Sequence, residues 1–177
     1  MVKLKKRFRG KKLVIFDMDG TLTPSKSPMR RDMSHVLMRL LGEKKVAVIG
    51  GGKYEQFQRQ FVRVLRIPKA LLGNLFLFPT MSTSFYRYRR GKWQRIYAHM
   101  LTQVEKKKIY RAFEKVFHEV GYRHPEKVYG KVIEDRGTQI AFSPLGQEIV
   151  TKLGMRGVQL KEEWKKKYNP LRFRMMR

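Results

Sequence analysis

Cysteine is absent from the 177 residues, which excludes a disulfide framework, thiolate-bound zinc and iron–sulfur clusters. Long apolar runs are missing too, since no stretch approaches the ~18 residues that a membrane-spanning helix needs. Residues 1–12 are a basic lead-in, but only the apolar run 13–16 follows, too short for the hydrophobic region of a signal peptide. A cytoplasmic protein with no membrane partner is the expectation. The scarcest class is the acids: 14 Asp and Glu stand against 41 Lys and Arg, a formal net charge of +27.

This excess is spread along the chain. Residues 1–50 hold 13 basic and 4 acidic side chains, 51–100 hold 10 and 1, 101–135 hold 8 and 6, and 136–177 hold 10 and 3. Such a density attracts a nucleic acid, another polyanion or a phosphorylated substrate without choosing among them. Apolar residues at 42% and aromatics at 12% suit a packed globule rather than a disordered polymer.

Two strand–loop–helix units and a third strand occupy the first half. Residues 13–16 read as a central parallel strand buried on both faces, 32–41 as a helix, and 45–49 as a second strand closed by Gly50-Gly51-Gly52. Residues 54–65 have helical spacing, and 71–78 read as the third strand. After Pro79 the pattern changes. Residues 84–88 and 93–98 are aromatic strands joined by an Arg89-Arg90-Gly91-Lys92 turn, 104–120 form the most periodic helix, and 138–142 form another strand. From Trp164 onward the chain is basic and poorly periodic.

Asp17 and Asp19 are the sharpest chemical signal. They lie two residues apart where the first apolar strand ends, the place at which open α/β sheets form their ligand sites. Two close carboxylates repel unless a cation sits between them, and hard oxygens suit Mg²⁺. The ion would neutralise phosphate oxygens, leaving one carboxylate to act as a nucleophile.

Phe16-Asp17-Met18-Asp19-Gly20-Thr21-Leu22-Thr23 resembles the first motif of the haloacid-dehalogenase-like phosphotransferases, more narrowly the branch of phosphomannomutases and their bacterial relatives. Residues 46–57 resemble that branch's second core motif, 74–80 with Phe85-Tyr86 the entrance to its cap, and 136–146 the cap strand that closes over the substrate. The resemblance implies an α/β fold with a Rossmannoid parallel-sheet core at 1–79, apparently incomplete, and an inserted α+β cap at 80–163. The basic segment 164–177 would begin a truncated return to the core. The resemblance also implies roles. Asp17 is the nucleophile that becomes an aspartyl-phosphate, and Asp19 is the general acid and base. Mg²⁺ is held by the Asp17 side chain and the Asp19 backbone carbonyl. Arg136 grips the distal phosphate of a sugar phosphate, and Gln147 is a substrate-binding position; Gly50, Gly51 and Gly52 are the expected phosphate-binding loop through their backbone N–H groups.

Three departures accompany the resemblance. The family places a Ser or Thr hydroxyl at the end of the second strand, where Gly50-Gly51-Gly52 offers only backbone N–H groups. Gln147 stands where the mutase subgroup carries arginine. Residues 164–177 contain no Asp or Glu, so the late acidic cluster and final strands of the core have no counterpart. The alternatives are a truncated gene product, one half of a split protein that needs a complementary chain, or a fragment recruited to another role. An exposed sheet edge, with the association it invites, follows from each.

The segment 85–95 interleaves rings with cations, as single-strand nucleic-acid binders do, although alternate rings can equally form the module's own core. His35, His99, His118 and His124 show no metal spacing. Two functions are therefore expected to compete. One is a Mg²⁺-dependent phosphatase or phosphotransferase acting on small phosphorylated metabolites. The other is a non-catalytic basic protein that binds nucleic acid or forms part of a two-chain assembly or homo-oligomer.

Overall fold

A computed structural model of the chain describes residues 10–24 and 27–175. Most of the basic lead-in, residues 1–9, lies outside them. The chain divides into two compact units, Met1–His99 and Met100–Arg177.

The first unit is a five-stranded sheet in the order β1-β2-β3-β4-β5. Strands β1 (Leu13–Asp17), β2 (Lys45–Ile49) and β3 (Leu75–Phe78) run parallel, with Asp17 opposite Ile49 and Ile49 opposite Phe78. Strands β4 (Ser84–Arg89) and β5 (Lys92–Ala98) continue the sheet antiparallel, turning at Arg90 and Gly91 with φ of 50° and 77°. Such left-handed pairs make the twist of a two-residue hairpin turn.

Helix α1 (Arg31–Glu43) buries Ser34, Leu37 and Leu41, one face of a 3.6-residue period. Helix α2 (Tyr54–Gln60) buries Phe57 and Gln60. Their apolar faces meet Met18, Val46, Val48, Leu75 and Leu77 in one core cluster.

Several expectations change here. The run 13–16 is not a central strand: β1 is at the sheet's edge, and on the face away from the core Leu13 and Ile15 are 47% and 64% exposed. Met18 N donates to Ile49 O and Lys12 O accepts from Lys45 N, so even-numbered residues bond to β2. Strand alternation then turns the N–H and C=O groups of Leu13, Ile15 and Asp17 toward the open edge. Only four residues of the expected third strand are extended. A 3₁₀ turn over Lys69–Asn74 precedes them, fixed by Asn74 Nδ2 donating to Leu41 O at 3.0 Å. The second helix stops at Gln60 and continues as a 3₁₀ turn over Val62–Val64. The aromatic hairpin pairs with β3, and the two compact units meet in sequence at residues 99 and 100.

The second unit opens with α3 (Gln103–Glu119). Its capping box is complete: Thr102 Oγ1 accepts from Glu105 N at 3.2 Å, and Glu105 Oε2 accepts from Thr102 N at 2.7 Å. Strands β6 (Ile133–Asp135) and β7 (Ile140–Phe142) pair antiparallel, and Phe142 meets Phe113 and Phe117 at ring separations of 5.9 and 5.1 Å. Helix α4 (Ile149–Leu153) follows, then Gly154 at φ 53°, then α5 (Met155–Met175). The basic, poorly periodic segment from Trp164 is therefore helical as far as Met175. No described helix is long and apolar enough to cross a membrane.

Candidate active site

The parallel strands place three loops at their C-terminal ends. At the end of β1 the chain folds back at once. Met18 O accepts from Leu22 N, Thr23 N and Thr23 Oγ1 at 3.1, 3.0 and 3.1 Å, and Gly20 N donates to Thr23 O at 2.7 Å. Gly20 sits at φ 83°, the left-handed region that favours glycine, which is what this turn requires of it. Met18 is thereby locked into the core, while its neighbours point elsewhere. Asp17 is exposed and has no hydrogen-bond partner among the described residues. Asp19 is half-buried, and its Oδ2 accepts from Gln56 Nε2 at 3.2 Å.

The glycine triplet after β2 is tied to the loop after β3. Gly50 N donates to Phe78 O at 3.2 Å, while Met81 N donates to Gly50 O and Thr80 N to Gly52 O, both at 2.9 Å. The Gly50 N–H is thus engaged in the sheet. A Cβ at Gly52 would lie 2.2 Å from Gln56 Oε1. The absent side chain at Gly52 is what gives room for Gln56, which in turn holds Asp19.

The third loop follows β3 and begins at Thr80, the last residue of the 74–80 stretch. Thr80, Met81 and Ser82 adopt φ of 52°, 54° and 64°, three consecutive non-glycine residues in left-handed backbone. Each such residue costs on the order of 1 kcal/mol or more, and such strain collects where a loop has a task. Hydroxyls hold it: Thr80 Oγ1 is 3.1 Å from Ser84 Oγ, and Thr83 Oγ1 donates to Thr80 O at 2.7 Å. The signal that could have found it is the hydroxyl-dense run 80–84 directly after an apolar strand. Gln56 had a weaker signal, one glutamine among several in its helix.

The donor atoms here are all oxygens, which suits a hard cation in kind. Among the described residues no group of three or more Asp, Glu, His or Cys side chains is placed to hold a metal ion. The Asp19 carboxylate is turned to Gln56.

Arg136 and Gln147 belong to the second unit and meet each other there. Arg136 Nε donates to Glu134 Oε2 at 2.8 Å, and its Nη2 donates to Gln147 Oε1 at 3.0 Å. The guanidinium already has a carboxylate, and the turn before β7 shapes its setting, with Gly137 N donating to Asp135 Oδ1 at 2.7 Å.

The hairpin rings are occupied with one another. Tyr86 stacks on Tyr54 with centroids 3.8 Å apart, Phe85 stacks on Phe78 at 4.6 Å, and Tyr88 meets Trp93 edge-on at 5.5 Å. Arg87 lies over the Phe76 ring at 5.1 Å. Burial first, and the adjacent Tyr86 second, push the Tyr54 hydroxyl up to about 12. Arg89, Arg90, Lys92 and Arg95 are the hairpin cations that face solvent.

No protein-family model matches the chain. Among solved structures it is similar to the IMP-nucleotidase of Plasmodium falciparum. The N-terminally truncated, IMP-bound form matches at 15% identity over 88% of this chain and 47% of that chain, with a TM-score of 0.55. The ATP-bound form matches at 15% identity over 90% and 42%, with a TM-score of 0.57. The chain spans less than half the length of either. What it shares with these structures is the haloacid-dehalogenase-like α/β fold, with a mixed sheet flanked by helices.

Proposed function

We propose that the chain carries a phosphatase-type phosphotransfer site for small phosphorylated metabolites, with Asp17 as nucleophile and Asp19 as general acid and base. The observation that carries this reading is the arrangement at the sheet's C-terminal rim. An exposed carboxylate with no hydrogen-bond partner among the described residues ends β1, beside a second carboxylate oriented by Gln56. Glycine and hydroxyl loops from the two neighbouring strands stand next to them. The finer assignment, sugar phosphates handled by a phosphomannomutase-like site, rests on the motif residues alone.

An Asp17 oxygen attacks phosphorus in line, the ester P–O bond breaks, and the leaving oxygen takes a proton from the Asp19 carboxyl group. Water then attacks the aspartyl-phosphate and gives its proton to Asp19. The bond from phosphorus to the Asp17 oxygen breaks, and inorganic phosphate leaves. The Asp17 side chain and the Asp19 carbonyl would hold Mg²⁺, which would supply neutralisation of phosphate charge there. Gln56 acts before any of this, by fixing the direction of the Asp19 carboxylate.

The test is hydrolysis of a chromogenic phosphate ester by nucleic-acid-free protein, with and without Mg²⁺. We expect Mg²⁺-dependent turnover that Asp17→Asn reduces to background and Asp19→Asn lowers by about 10²–10⁴-fold. Equal rates for wild type and folded Asp17→Asn would overturn the assignment.

A second reading is favoured by the charge and by the solvent-facing Arg89, Arg90, Lys92 and Arg95. On that reading the chain binds single-stranded nucleic acid, and Asp17→Asn leaves binding unchanged. Four such phosphate contacts would give a slope of about −3 in log affinity against log salt. Converting Arg89 and Arg90 to Ala would flatten that slope.

A further inference from the structure

The second unit has an apolar interior that is not closed. Helix α3 places Ile109, Phe113, Val116 and Phe117 on one face, yet none of its residues is fully buried. These side chains instead line a cavity of about 550 Å³, together with Phe142 and the 143–146 turn on one side and Trp164 of α5 on the other. This volume lies within the range of small-molecule sites, roughly 300–1,000 Å³.

The inward stripe of α5 contains one residue of the wrong kind. Gly157, Leu160, Trp164, Tyr168 and Leu171 are at least half-buried at helical spacing, and Lys161 is half-buried among them. Lys161 lines the cavity and has no ion pair or hydrogen bond among the described residues. Lys165, one turn on, also lines the cavity, but it is exposed and its Nζ is paired with Glu162 Oε1 at 2.6 Å. A half-buried cation on an apolar wall is costly until an anion meets it; Glu162 attracts Lys161 along the helix, but its Oε1 accepts from Lys165 Nζ at 2.6 Å, and no ion pair reaches Lys161 among the described residues.

We propose that this cavity binds a single-chain amphipathic anion, its alkyl or acyl chain lying against Phe113, Val116, Phe117 and Trp164 and its anionic head at Lys161. Apolar lining and a half-buried cation with no ion pair among the described residues together select this class. A compact inorganic anion would leave the rings unfilled, and a neutral alkane would leave Lys161 unmatched. The inference goes beyond the phosphotransfer reading and does not rest on Asp17 or Asp19.

The chain has two tryptophans, Trp93 and Trp164, so a Trp93→Phe background reports on the cavity alone. In that background, dodecyl phosphate, lauric acid, dodecanol and inorganic phosphate are titrated below their aggregation concentrations in 0.15 M salt. The expected result is a saturable Trp164 fluorescence change with dodecyl phosphate or laurate at concentrations at least tenfold below those needed for dodecanol, and none with inorganic phosphate. The relative affinity of dodecyl phosphate and laurate identifies the preferred head group. Lys161→Met removes the tenfold preference while keeping dodecanol binding, and Lys107→Met, on the exposed side of α3, leaves it intact. Absence of a saturable signal overturns the proposal. So does equal binding of dodecanol, or a preference that survives Lys161→Met.

Discussion

At the scale of single residues, the molecule distinguishes glycines that hold space from glycines that hold backbone. A Cβ at Gly52 would meet the far end of Gln56, a side chain that can swing away. Gly52→Ala should therefore cost under about 1 kcal/mol in urea unfolding, within the ordinary range of tolerated substitutions. Its larger effect should be on turnover, through release of Asp19 from Gln56. Gly146 is the opposite case: at φ 86°, a Cβ there would lie 2.2 Å from Tyr129 O, a backbone atom. Gly146→Ala should cost about 3 kcal/mol or prevent folding, as incompatible backbone positions do. Two tyrosines give a pH prediction. Burial raises the hydroxyls of Tyr54 and Tyr122 to about 12 from an ordinary value of 10. The unfolded chain ionises first, so stability falls as pH rises from about 10 toward 12. Phenolate absorbance should show both groups titrating late, with Tyr54→Phe reducing the late step of the first unit, which Tyr86, also raised by burial, shares.

Helices and strands show which part of the fold the sequence carried openly. The parallel strands and α1 were legible because runs such as 45–49 and the spacing of Leu37 and Leu41 encode burial directly. Asp17, Asp19 and the glycine triplet were legible because strand ends place them. Edge and centre were not legible: Leu13-Val14-Ile15-Phe16 has the composition of a fully buried strand, and only the sheet order reveals one bare face. Nor was α5, whose inward stripe includes Lys161 and whose sequence includes Pro170. The stripe's regular spacing outweighs its mixed chemistry. Gln56 and the Thr80–Met81–Ser82 backbone escaped because their roles depend on long-range hydrogen bonds. The capping box makes its own prediction: Thr102→Ala should cost about 1 kcal/mol of second-unit stability. The backbone bond to Thr102, and then its side chain, lower the Glu105 carboxyl. Its support is therefore present above the ordinary glutamate range and lost as pH falls through the lowered value, a step that circular dichroism should show in wild type but not in Thr102→Ala.

On the scale of the whole molecule, a net charge of +27 resists self-association in dilute salt, and added salt removes that protection. The vulnerable place is β1, whose outer edge is unpaired among the described residues and whose Ile15 is 64% exposed. Ile15→Lys should leave unfolding stability within about 0.5 kcal/mol and lower association at high salt, read by light scattering over a concentration series. The same edge has a consequence that can be timed rather than weighed. Amide protons of Val14, Phe16 and Met18 point into the sheet, whereas those of Leu13, Ile15 and Asp17 point out of it. In deuterated water β1 should therefore exchange in alternation, fast at odd positions and slow at even ones, until something pairs with the strand and slows the odd set as well.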